Sequence, residues 1–212
     1  MSDVTITLTN SRYAALHPCS KHPVFLRGTT WRSVIHFFYG EQLSDGRLIY
    51  KILVGATADD ARTIVADAPP DKRAEWSTQK AYDTVRKAYF GKIMQHATVR
   101  NALLRTGDSS ISVDLKDCGQ WQDDPVFEGG KLLCESLVSI RKELTADGPY
   151  DELKAPLLPP WLKFPDYHPY SMGWRMGVGE DYASEFYTWY RGLTAAGKRK
   201  YREMYPPPKG WR

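Results

Sequence analysis

The chain opens on an alternating run, VTITLT from Val4 to Thr9, in which every second side chain is apolar, as a half-buried strand requires. His22 to Arg27 (HPVFLR) is a second extended stretch, and Gly28 supplies the turn that follows it. From Ser33 to Gln42 the pattern becomes helical and rich in aromatics (Phe37, Phe38, Tyr39), and Ser44-Asp45-Gly46 closes it as a turn. Thr57 with Asp60 has the pattern of an N-cap and an acidic first turn, opening a helix to about Ala66 that Pro69-Pro70 ends. Tyr82, Val85, Tyr89 and Ile93 recur at spacings of three and four, which sets them on one face of a helix ending near Gln95. His96 to Arg105 follows as another helix stopped at Gly107, and Ser110 to Leu115 as a short strand. Leu133, Leu137, Ile140 and Leu144 then mark a core helix that closes before Gly148-Pro149.

The character of the chain changes at Pro149. Six prolines fall between there and Pro169, which suits an extended segment and not a regular element. Glu180 to Leu193 reads as a helix with Phe186, Trp189, Tyr190 and Leu193 on one side. Thr194 caps a last helix to about Tyr205, before three consecutive prolines. The expected organisation is a core at 1–148 and an aromatic-rich, proline-rich extension at 149–212 that packs on it. The fold class is α+β, helix-dominated, with a small β-sheet formed by the early strands.

A length of 212 residues with 42% hydrophobic and 25% charged residues suffices for a substantial core and excludes a disordered chain. No apolar run approaches the ~20 residues that span a bilayer. The start, MSDVTITLTN, lacks the basic and apolar regions of a signal peptide, so a cytoplasmic protein is expected, without a membrane partner. Cys19, Cys118 and Cys134 are odd in number and widely spaced, which argues for reduced thiols. His17, Cys19 and His22 are ligand-type residues within six positions, but a fourth at sensible spacing is missing, so no metal is predicted. Gly177-x-Gly179 lacks the strand and third glycine of a phosphate loop and reads as a turn. The net charge of +4 says little about partners. Its distribution says more: from Arg191 onward seven Lys or Arg face the single Glu203, a basic tail able to touch phosphate, or a solvated helix face that keeps the chain soluble.

Three segments resemble the YbiA/NADAR family. HPVFLRGTTWRSVIHFF (His22 to Phe38) is similar to its strand, glycine turn, T-x-E-H and aromatic helix, and Leu8-Thr9-Asn10 to its upstream Leu-Ser-Asn. VRKAYFGKIMQHATVRNALLRTG (Val85 to Gly107) is similar, without a gap, to its M-R-K-A-x-x-x-K-F-x-Q segment, with Lys92 at the family's lysine and Gln95 at its glutamine. Trp121 stands where the family has Trp-Gly, and Lys131-Leu132-Leu133 where it has Asn-x-Leu-Gly. The resemblance spans roughly residues 8–144 and departs from the pattern at three points: the glutamate before the histidine is Ile35, Asn-Arg is Gly130-Lys131, and the glycine after the tryptophan is Gln122.

The resemblance implies an N-glycosidase acting on an ADP-ribose-type or ribosylamine phosphate substrate, with no metal or redox cofactor. Cleavage of an N-glycosidic bond builds oxocarbenium character at C1, so it needs a nearby anion or a nucleophile, and an activated water or a protonated leaving group. His36 is the candidate for proton transfer and Lys92 for phosphate neutralisation or Schiff-base attack on an opened ribose. The carboxylate would come from Asp114, Asp117 or Glu41. Glu41 lies about 120° round a helix from position 35 and does not simply replace it. Trp31 and Trp121 are candidates for stacking on a base, and Arg32, Arg86 and Lys131 for phosphate contacts. Each also has a plainer role in core or surface. The rival expectation is a catalytically inactive descendant that binds a nucleotide or serves an assembly, with the aromatic and basic extension as a surface for a protein or, on weaker grounds, nucleic acid.

Overall fold

A computed structural model describes residues 3–9, 12–55, 57–116, 119–146 and 156–211. Both expected outer strands form. Strand β1 (Asp3–Ile6) pairs in parallel with β4 (Ser110–Val113), in a register running from Asp3 opposite Ser110 to Ile6 opposite Val113. Both alternate exposed and buried, so Val4, Ile6, Ile111 and Val113 share the inner face. Strands β2 (Val24–Leu26) and β3 (Thr29–Trp31) form a separate pair. Their connection takes positive φ at Arg27 (53°) and Gly28 (77°), as tight hairpins require. The single sheet expected of the early strands is therefore two pairs: β1 has its partner a hundred residues downstream, which no local pattern encodes.

Helix α1 (Val34–Gly40) starts at Ser33, whose side chain accepts the His36 N–H, and all seven of its residues are buried. Helix α2 (Gly46–Val54) occupies a stretch read from sequence only as following a turn. Asp45 accepts the N–H groups of Arg47 and Leu48, so the Ser-Asp-Gly signal is a helix cap here. Helix α3 (Ala58–Ala66) carries the Thr57–Asp60 capping box in full. Helices α4 (Thr78–Gln95), α5 (Ala97–Leu104) and α6 (Lys131–Thr145) follow as their periodicity predicts. Helix α4 packs against α1, α5 and α6, and its Val85, Tyr89 and Ile93 join Phe37, Phe38, Leu137 and Ile140 in the core.

The chain divides into two compact units: Met1–Phe25 with Thr30–Thr145, and Leu26–Thr29 with Ala146–Arg212. The sequence boundary at 148/149 lies outside the described residues. In the second unit, the one-turn α7 (Pro160–Lys163) precedes α8 (Val178–Gly192) and α9 (Ala195–Met204). Phe186, Leu193, Tyr201, Met204 and Tyr205 are buried there. The phenols of Tyr182 and Tyr201 donate to the carbonyls of Leu158 and Leu157, each at 2.7 Å, fastening the proline-rich segment to the helices. Among the described residues no helix is long and apolar enough to cross a membrane.

Candidate active site

Lys92 lies in the last turn of α4 and is completely buried. Its Nζ donates to the carbonyl of His17 at 2.6 Å and lies 5.9 Å from the centre of the Tyr89 ring. No carboxylate of the described residues pairs with it. Burial brings its pKa down to about 7, against an opposing contribution from Cys19. At neutral pH this amine is partly unprotonated, which an exposed lysine is not.

The loop that receives it is clamped from two sides. Pro18, next to the acceptor His17, takes the N–H of Val34 at the start of α1 (3.2 Å), so the N-terminal end of α1 and the C-terminal end of α4 meet at residues 17–18. His17 is fully buried, and its Nδ1 accepts the Cys19 N–H at 3.2 Å. The ring proton therefore sits on Nε2 and serves the Asp114 backbone. Burial, then the Lys92 charge, lower its pKa to about 4, outweighing the Asp114 backbone and carboxylate, which favour the cation. With both ring nitrogens engaged, His17 acts as a neutral structural residue.

His36 is buried one turn into α1, and its Nδ1 lies 2.8 Å from the Ser33 hydroxyl. The same oxygen accepts the His36 backbone N–H at 3.4 Å, so Ser33 holds both the backbone and the ring of His36. Asp114 ends the β1–β4 ladder, its N–H donating to Ile6 at 2.8 Å. Its carboxylate accepts from the Lys116 N–H and acts electrostatically on His17, whose carbonyl receives Lys92. Asp117 lies outside the described residues. Glu41 caps the opposite end of α1, about 7–8 Å along the axis from His36. Ile35, where the resemblance expects a glutamate, is 0% exposed and part of the core.

The ring and phosphate candidates are dispersed. Trp31 is buried, packed edge-on against Phe37 and so close to Gly40 that a Cβ there would overlap its ring. Trp121 is fully buried against Phe127, its backbone N–H held by Asp59 at 2.8 Å, and its indole nitrogen has no partner among the described residues. Both are core rings as folded; a ligand would stack on them only by displacing these neighbours. Arg86 is paired with Glu143 and also donates to Ser139 on α6. Lys131 is 80% exposed and 4.0 Å from Glu135. Arg32 is exposed beside the hairpin.

Two contributors escaped the sequence. The sequence marks His17 only as a ligand-type residue, yet it supplies the lysine's acceptor from 75 positions away, a distance no local pattern spans. Ser33 was legible in principle as a serine N-cap three residues before His36. Gln95 has a positioning role: its side chain accepts the Phe25 N–H (2.7 Å) and donates to the Phe25 carbonyl (2.9 Å), extending β2 with a side-chain amide.

No family model matches the chain. It is similar to an N-glycosidase of Nostoc punctiforme, 25% identical over 135 residues, a match covering 62% of this chain and 86% of that protein. N-glycosidase YbiA of Escherichia coli is 24% identical over 149 residues, covering 69% of this chain and 92% of its own length. A riboflavin biosynthesis protein of Vibrio vulnificus is 26% identical over 138 residues, but the match covers only 36% of that protein. The NMR structure of E. coli YbiA superposes with a TM-score of 0.54 at 22% identity, covering 68% of this chain and 86% of that one. The chain therefore has a YbiA/NADAR-like fold.

Proposed function

We propose that the chain is an N-glycosidase of NADAR type that cleaves the C1–N bond of an ADP-ribose-type or ribosylamine phosphate substrate, with Lys92 as nucleophile. The observation behind this reading is a fully buried lysine with no carboxylate partner among the described residues and a pKa near 7. An amine in that state is a competent Schiff-base former at neutral pH. In the step envisaged, Nζ adds to C1 of the ring-opened substrate imine and the original amine leaves with a proton. Water then adds to the Lys92 iminium, releasing the sugar aldehyde and regenerating the amine. His36 would exchange protons with the leaving nitrogen, and Asp114 would assist the water. Covalent attack also reduces the need for an anion beside C1, the part a glutamate at position 35 would have played.

The test is incubation with ribosylamine 5-phosphate and with ADP-ribosylated nucleotide in the presence of cyanoborohydride. The expected outcome is amine release and a reduced sugar adduct at Lys92 by mass spectrometry, both lost in Lys92→Met. Buried Ile35 favours a second reading, an inactive fold that binds a nucleotide or joins an assembly. Absence of both turnover and adduct, with ADP-ribose bound in calorimetry, would establish nucleotide binding without catalysis.

A further inference from the structure

The second unit contains a surface unrelated to the lysine site. Five of its large apolar residues lie exposed between positions 170 and 187, Tyr170 at 80% and Tyr187 at 45% among them. Tyr187 forms a wall of two adjoining clefts. One is lined by Trp161, Tyr190, Tyr205 and Arg202 among others, the other by Tyr170, Trp174 and Trp211. The indole N–H of Trp161, one of the residues lining the first cleft, is shielded from solvent and has no acceptor among the described residues.

Arg202 links this aromatic strip to a third, basic cleft that it shares with Lys198 and Arg199 on one face of α9. Its Nε donates to the Tyr190 hydroxyl at 2.8 Å, which orients the guanidinium. Its two terminal nitrogens, and the whole of Arg199, have no partner among the described residues. The one carboxylate in the cleft, Glu203, is held by Lys200 at 3.3 Å.

We infer that this face of the C-terminal unit binds single-stranded nucleic acid, with bases stacked along the Tyr187 clefts and the backbone phosphates on Arg199 and Arg202. Cleft walls of aromatic rings, with Tyr170 and Tyr187 exposed, beside an oriented guanidinium are what flat bases joined by phosphates require. A duplex does not fit the same surface, because its bases are paired and stacked on one another.

The test is fluorescence anisotropy of the full chain with labelled oligothymidylate of about twelve nucleotides, a length within the usual single-strand site sizes. Saturable binding at low salt is expected, with affinity falling on a log–log slope of about −0.7 for each phosphate neutralised. Tyr187→Ala should weaken binding about tenfold without altering that slope. Arg199→Ala and Arg202→Ala should make the slope shallower. All three positions are exposed, and circular dichroism would verify that each variant is folded. The inference is overturned if oligothymidylate does not bind at low salt, or if a duplex binds equally well and Tyr187→Ala has no effect. Binding of a tyrosine-phosphorylated peptide in place of the oligonucleotide would overturn it equally, assigning the face to a protein partner.

Discussion

Replacing Lys92 by methionine keeps most of the side chain's volume and removes its charge and its hydrogen bond to His17. In the unfolded chain the amine has its ordinary pKa of 10.5, whereas in the folded protein it falls to about 7. Between these values the unfolded state binds the proton that the folded state releases, so stability rises with pH throughout that window. Below pH 7 the full cost of burying the cation is present, and above 10.5 it is gone. Integrating the two titrations gives a penalty of about 4 kcal/mol at pH 7 and about 2 kcal/mol at pH 9. Against this relief stands the carbonyl of His17, which loses its donor at a cost of about 1–3 kcal/mol independent of pH. Lys92→Met should therefore be more stable than the parent at pH 7 by about 1–3 kcal/mol, the two curves converging near pH 9. Guanidinium unfolding of both proteins at several pH values from 6.5 to 9.5 measures this directly. A variant less stable than the parent at pH 7 by a constant, pH-independent margin would refute the reasoning, because it would mean that the amine is solvated or paired in the fold.

Four further perturbations probe the surroundings. The His17 pKa, lowered to about 4, makes the parent lose stability as pH falls from 6.5 to 4, by about 3 kcal/mol in full; His17→Gln should flatten that limb in the same unfolding assay. Gln95→Ala deletes both bonds to Phe25 and should cost about 1–3 kcal/mol, with faster hydrogen exchange at the Phe25 amide. Gly40→Ala forces a methyl into the Trp31 ring and should cost about 1–3 kcal/mol, with a change in tryptophan fluorescence. Ile35→Glu restores the residue the family pattern expects but sets a carboxyl in a fully buried position, so a loss of several kcal/mol in unfolding is expected rather than a gain of activity.

The helices were legible in the sequence because their signals are local. Thr57 and Thr194 cap where their spacing says, and the apolar stripe of α4 faces the core. Helix α2 was missed because Asp45-Gly46 signals a turn and a capped helix equally well. The helix-dominated α+β class with few strands was legible, but the pairing was not: β1 pairs with β4, and parallel partners a hundred residues apart leave no mark on either strand. Of the site, the resemblance picked out Lys92 and His36, whose helices meet at one loop. It could not supply the depth of Lys92 or its acceptor, since burial is a property of the packed core and not of the residues flanking a position. Trp31 and Trp121 show the converse: an aromatic ring at a motif position suits a stacking platform and a core equally, and as folded both are buried in the core.

The two features that pull against each other, an apolar Ile35 and a buried Lys92, fit together once the charge balance is followed. A carboxylate on α1, the helix packed against α4, would stabilise the ammonium form and hold the lysine protonated at neutral pH. An isoleucine brings no such charge, and the amine, lowered to about 7 by burial, is partly unprotonated. A glycosidase relying on an anion beside C1 would lose its chemistry with that glutamate, but one relying on amine attack needs a neutral nitrogen and no carboxylate to protonate it. A purely structural lysine is harder to account for at this position, because methionine would fill the space without about 4 kcal/mol of desolvation at pH 7. The cost of keeping Lys92 is thus the physical reason to look for a function at this position.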